Sequence, residues 1–171
     1  AWGNTNGGAL GQNQGPGQNA GYSSPVQIPG NNWLSFGGGS QASAATKSDG
    51  TLWTWGAGEV GSLGQNDTVH RSSPVQIPGT TWNQSFGTGD CLFATRTDGT
   101  LWAWGNNSTG RLGLNSTVQY SSPVQLPGTT WANIVNKSNL TFGVKTDGTL
   151  WSWGINQYGQ LGIANDRAHR S

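Results

Sequence analysis

A step of 49 residues governs this chain. Trp55, Trp104 and Trp153 each precede a glycine and stand 49 positions apart, and the Pro-Val-Gln segments opening at Pro25, Pro74 and Pro123 keep the same step. Trp33, Trp82 and Trp131 follow it too, while Trp2 to Trp55 spans 53 because the first loop carries four extra residues. A period of this size belongs to a propeller, a solenoid or a repeat array, in which each copy buries its apolar face against the next.

One copy divides into four strand signals. Taking Trp82 to Leu126 as the specimen, the first runs from Trp82 to about Phe86 and the second is Leu92 to Arg96, apolar and β-favouring. Asp98-Gly99 follows, repeated at Asp49-Gly50 and Asp147-Gly148, and predicts a tight hairpin because glycine reaches positive φ without a steric penalty. The third strand, Thr100 to Trp104, puts Trp102 and Trp104 on one face and Leu101 on the other, so both faces need cover. The fourth, Pro123 to Leu126, begins on a proline that cannot donate to a ladder, which assigns it to the outer rim. No window carries a helical period. The expected fold is all-β: a propeller of four-stranded antiparallel blades, favoured over a β-solenoid, whose coils lack two hairpins per repeat.

The frame is one repeat domain over 1–171, with copies 1–53, 54–102, 103–151 and a partial 152–171. It holds the last two strands of one blade, two whole blades and the first three strands of a fourth. Because three and a fraction blades do not close a ring, the chain is expected to be part of a longer protein or of an assembly of copies.

Composition narrows the function. Ten Trp, all on repeat-equivalent positions, and 29 Gly against 9% charged residues describe an aromatic-cored, turn-rich chain whose indoles are mostly core. The formal net charge is +1 and the eight Lys and Arg are scattered singly, so there is no basic stripe for nucleic acid. No apolar run approaches the roughly 18 residues of a membrane-spanning helix, so no membrane insertion is expected. Cys91 is alone, excluding an intrachain disulfide and a thiolate metal site.

Catalytic constellations are absent from the pattern. His70 and His169 lie in similar contexts of different copies and look like repeat features rather than metal ligands. Glu59 is the sole Glu, the turn explains Asp49, Asp98 and Asp147, and Asp67, Asp90 and Asp166 sit in different copies. No Gly-x-Ser-x-Gly occurs, and the Gly-rich Gly3 to Gly11 leads into no helix that would hold a phosphate. No enzyme activity, cofactor or metal is therefore assigned. Lys47, Arg96 and Lys145 recur just before the Asp-Gly turn, where stem packing or an ion pair with the neighbouring Asp is expected.

The strings LWTWGAGEVGSLGQN from Leu52, LWAWGNNSTGRLGLN from Leu101 and LWSWGINQYGQLGIA from Leu150 resemble the repeat of the regulator of chromosome condensation family. That repeat reads as an aromatic strand, Trp-Gly, an Asn-rich turn and Gly-Gln-Leu-Gly. The resemblance implies a seven-bladed propeller, of which this chain is a segment of three-plus blades. The family's namesake is a nucleotide exchange factor for a small nuclear GTPase and docks on nucleosomes. The chain departs from the family pattern by having no His in Gly38 to Gln41, Gly87 to Asp90 or Asn136 to Asn139, and it has neither a long inserted hairpin nor a basic tail. Guanine nucleotide exchange is therefore the least favoured function.

Alternating strands place the loops after strands one and three on one face. These segments differ between copies, whereas the Asp-Gly-Thr turns and Pro-Gly links of the other face are nearly identical. Loops on a rigid scaffold are where recognition sits. The expected contact residues are Glu59, Asp67, His70, Arg71, Arg111, Tyr120, Tyr158 and Arg167. The function expected is a non-enzymatic interaction or structural module that binds a protein or assembles with itself, with an extracellular, cell-surface or viral-particle setting favoured. The alternative is a carbohydrate-binding propeller using Tyr22, Tyr120 or Tyr158.

Overall fold

The structure, a computed structural model, describes residues 1, 6–13, 21–39, 41–88, 90–163 and 169–170. Twelve strands form three antiparallel four-stranded sheets among these residues. The first blade is β1 (Trp33–Gly38), β2 (Ala42–Lys47), β3 (Leu52–Gly56) and β4 (Arg71–Ile77), hydrogen-bonded in chain order. The second is β5 (Trp82–Thr88), β6 (Cys91–Arg96), β7 (Leu101–Gly105) and β8 (Tyr120–Gln125), and the third is β9 (Trp131–Lys137), β10 (Leu140–Lys145), β11 (Leu150–Ile155) and β12 (His169–Arg170). The copy boundaries at 53/54 and 102/103 thus fall inside third strands.

The meander follows from turn chemistry. Gly50, Gly99 and Gly148 sit at φ of 79°, 79° and 83°, and each Asp before them accepts from the Thr two residues on. β1 packs on β5 and β5 on β9, so first strands line the inside of the stack and fourth strands form the rim. As the alternation predicts, Trp104 enters the core shared by the first two blades, with Trp102 against it, while Leu101 enters the core shared by the second and third.

Two features differ from the strand count. The third blade does have a fourth strand, for His169 and Arg170 pair with Ile155 and Gly154. The fourth strand of the second blade starts at Tyr120 rather than Pro123, because Tyr120 pairs with Gly105 across a register shift that absorbs the proline. At the other end, Ala1 and Val26 exchange two backbone hydrogen bonds, at 2.5 and 2.7 Å, as a third and fourth strand would.

The blades are keyed by their indoles. Trp55 Nε1 donates to Ala9 O at 3.0 Å, Trp104 Nε1 to Ser62 O at 3.0 Å, and Trp153 Nε1 to Arg111 O at 2.8 Å. Each bond runs from a third strand into the segment before it, and a glycine in left-handed conformation (Gly11, Gly64, Gly113) clears the space in which the indole lies.

Candidate functional site

One face of the stack is a constant scaffold. Thr51 donates to Asp49 Oδ1 through its backbone N (3.0 Å) and its Oγ1 (2.6 Å), and Thr51 Oγ1 accepts from Trp53 Nε1 at 2.9 Å. The arrangement recurs at Asp98, Thr100 and Trp102 and at Asp147, Thr149 and Trp151. The threonine hydrogen bonds hold all three carboxyls below the usual aspartate range, with a smaller contribution from the cation two residues earlier.

Those cations are not ion-paired to the turn. Lys47 lies over both Trp33 and Trp53, Arg96 over Trp82 and Trp102, and Lys145 over Trp131 and Trp151, at 4.2 to 4.8 Å from the ring centroids. Three cation–indole clamps therefore line the constant side. Four of the six indoles in them are less buried than their repeat positions predict: Trp33, Trp53 and Trp102 are half-buried and Trp151 is 50% exposed, while Trp82 and Trp131 are buried.

The opposite face carries the segments that differ. In the first blade, the loop between β3 and β4 brings four candidate residues together. Arg71 Nη2 donates to Asp67 Oδ2 at 2.7 Å, while Asp67 Oδ1 accepts from Val69 N at 3.0 Å. These bonds, the backbone one foremost, hold the Asp67 carboxyl below its ordinary range. His70 Nδ1 accepts from Gly58 N at 2.9 Å, and its Nε2 stands 3.9 Å from Glu59 Oε1. The result is an exposed patch of mixed charge.

The other candidates belong to other blades. Arg111 is buried, its guanidinium donating to Thr109 Oγ1, Ser108 Oγ and Asn139 Oδ1, so it braces the second blade's loop against the third blade. Tyr120 is half-buried against the core between the second and third blades. Tyr158 is 90% exposed, its backbone N held by Gln160 Oε1 at 2.7 Å. Arg167 lies outside the described residues. Sequence reasoning missed the burial of Arg111, whose one hint was that its repeat equivalents, Ser62 and Gln160, are uncharged.

Among the described residues no three His, Cys, Asp or Glu side chains gather as a metal site. Cys91 is buried, and desolvation pushes its thiol up to about 12, away from nucleophilic use. No helix among the described residues is long and apolar enough to cross a membrane.

Residues 49–87, 98–135 and 147–171 match the regulator of chromosome condensation (RCC1) repeat. The chain belongs to the RCC1 repeat family. The RCC1-repeat fold extends over nearly its whole length. It aligns with human WBSCR16 at a TM-score of 0.80 and 22% identity, over 98% of this chain and 44% of that one. It aligns with Prp20p from Saccharomyces cerevisiae, a structure described with its binding to Gsp1p and histones, at 0.77 and 22%, over 96% and 42%. Yeast RCC1 (Prp20) bound to Kap60 gives 0.72 and 19%, over 96% and 42%. The chain thus spans less than half the length of these RCC1-like propellers. No curated protein sequence matches it.

Proposed function

We propose that this RCC1-repeat chain is a non-enzymatic protein-interaction or structural module that recognises its partner through the loops of the variable face. The observation that carries this is the contrast between the faces. One repeats the same hydrogen-bonded Asp-Gly-Thr-x-Trp turn three times, while the other presents a different loop from each blade. Glu59, Asp67, His70 and Arg71 form the polar centre of the contact set, with Tyr158 completing it from the third blade. Arg111 and Tyr120 serve the same face from below, by fixing the loops.

A macromolecular partner or a further copy of the chain fits this surface, and binding of Gsp1p, histones and Kap60 by the yeast relative supports a protein. The low charge and the Asn-, Ser- and Gly-rich loops favour an extracellular, cell-surface or viral-particle setting. Tyr158, 90% exposed, favours a glycan as the second reading, since an aromatic face stacks on a sugar ring.

The test is site-directed photocrosslinking in the native host, with the crosslinker placed in turn at Glu59, Tyr158 and, on the opposite face, Thr97. Adducts to one defined macromolecule from positions 59 and 158, lost when Asp67 and Arg71 are both changed to Ala, support the proposal. Adducts only from position 97, or turnover of a small substrate by the purified chain, contradict it. Quenching of fluorescence by oligosaccharides favours the glycan, and accelerated nucleotide release from a small GTPase favours exchange.

A further inference from the structure

The long loop after the third strand is tied down in two ways. In the second and third blades a buried asparagine does it. Asn107 Oδ1 accepts from Leu112 N at 2.9 Å while its Nδ2 donates to Ser116 O and Val118 O, at 2.7 and 3.0 Å. Asn156 Oδ1 likewise accepts from Leu161 N at 3.0 Å.

The first blade has glycine at that position. A Cβ on Gly58 would stand 2.2 Å from the carbonyl oxygen of Val69, so no asparagine fits. The tie comes from the far end of the loop instead, where His70 Nδ1 accepts the hydrogen bond of the buried Gly58 N–H at 2.9 Å. An amide tether does not titrate, whereas imidazole is the side chain whose charge ordinarily changes between about pH 5 and 8. Acceptance at Nδ1 puts the proton of the neutral ring on Nε2, on the side of Glu59.

Protonation turns both ring nitrogens into donors. The Gly58 N–H then faces another N–H and loses its acceptor, an expensive state for a buried donor. The Glu59 carboxylate, 66% exposed and 3.9 Å from Nε2, attracts the charged ring away from Gly58. The turn between them is already strained, for Val60 is held at φ 54°, a conformation that β-branched residues rarely adopt.

We propose that protonation of His70 releases the 57–70 loop, making the first blade's part of the variable face pH-responsive while the asparagine ties at Asn107 and Asn156 do not respond to pH. The ionisable groups around His70 are Glu59 and the paired Asp67 and Arg71; β8 packs against the 59–61 turn, but its Tyr120 ring lies against the core between the second and third blades. The other elements on this loop, β3, β7 and the Asn6–Gly8 turn, carry none. Asp67 and Arg71 neutralise each other, which leaves Glu59 as the net partner of the charged ring. His70 is 38% exposed, so protons reach it without unfolding.

Amide hydrogen exchange by NMR on the whole chain tests this, with protection corrected for the intrinsic pH dependence of exchange. Protection of the Gly58 amide is expected to fall about tenfold or more from about pH 8 to about pH 5. Protection of the Leu112 amide, held by Asn107, is expected to stay constant. In His70→Gln, which keeps an acceptor within reach and does not titrate, Gly58 protection is expected to be the same at both pH values. Equal Gly58 protection at both pH values in the unmodified chain overturns the inference, as does an equal fall at Leu112. The consequence for partner binding rests on the proposed contact face, whereas the loop release does not. Release at Gly58 with photocrosslinking unchanged at position 59 therefore upholds the switch and removes this loop from the contact face.

Discussion

Trp104 Nε1 donates to the carbonyl of Ser62 across 3.0 Å, from the third strand of the second blade into the long loop of the first. The bond has equivalents at both neighbouring junctions, and each needs a bare backbone beside it. A Cβ on Gly64, at φ 68°, would meet Trp104 Nε1 at 2.9 Å, while nothing lies within 4 Å of one on Gly162, which holds the same conformation at φ 67°. The two positions separate backbone strain from interblade crowding.

Gly162→Ala is expected to cost about 1 kcal/mol, from the left-handed conformation alone. Gly64→Ala carries the same strain plus displacement of a fully buried indole, and is expected to cost about 3 kcal/mol. Urea unfolding of the two variants gives the comparison. Equal losses would mean that the indole does not occupy the space beside Gly64.

The cation clamps predict a second pair of variants. Arg96 lies 4.6 and 4.2 Å from the ring centroids of Trp82 and Trp102, so Arg96→Ala is expected to lose about 1–2 kcal/mol in the same assay. Arg96→Lys is expected to stay within about 0.5 kcal/mol, because Lys47 and Lys145 occupy the equivalent clamps. A loss in Arg96→Lys equal to that in Arg96→Ala would contradict the clamp, since a lysine holds the equivalent position over the indoles in the other two blades.

Legibility in the sequence followed the repeat. The Asp-Gly turns and the alternation at Leu101, Trp102 and Trp104 depend on local backbone preference and a period of two, so the blade and the facing of its third strand could be read directly. The clamp at Lys47, Arg96 and Lys145 could not, because it needs the distance between first and third strands, which only pairing through the second supplies. Arg111 was misleading because loop position suggested exposure, while Asn139, 28 residues away, draws its guanidinium inward. Likewise the meeting of Glu59 and His70 depends on how the loop folds back on Gly58, which no period encodes.

Acid is expected to weaken the constant face. The Asp49, Asp98 and Asp147 carboxyls titrate below their unfolded value, so their contribution is present above about pH 4 and is lost as pH falls through the depressed values. Urea midpoints measured from about pH 6 to about pH 2 should decline most in that acid range, and Asp98→Asn should flatten part of the decline. A decline of undiminished size in Asp49→Asn, Asp98→Asn and Asp147→Asn combined would assign the acid sensitivity elsewhere.

The blades are keyed to one another by Trp55, Trp104 and Trp153, whose indoles donate across each junction. Hydrogen exchange of the indole N–H groups, followed by NMR, reads this keying residue by residue. Slow exchange is expected at these three residues, which are 1%, 0% and 7% exposed, and fast exchange at Trp151, 50% exposed. Exchange of the Trp104 and Trp153 signals as fast as that of Trp151 would contradict it.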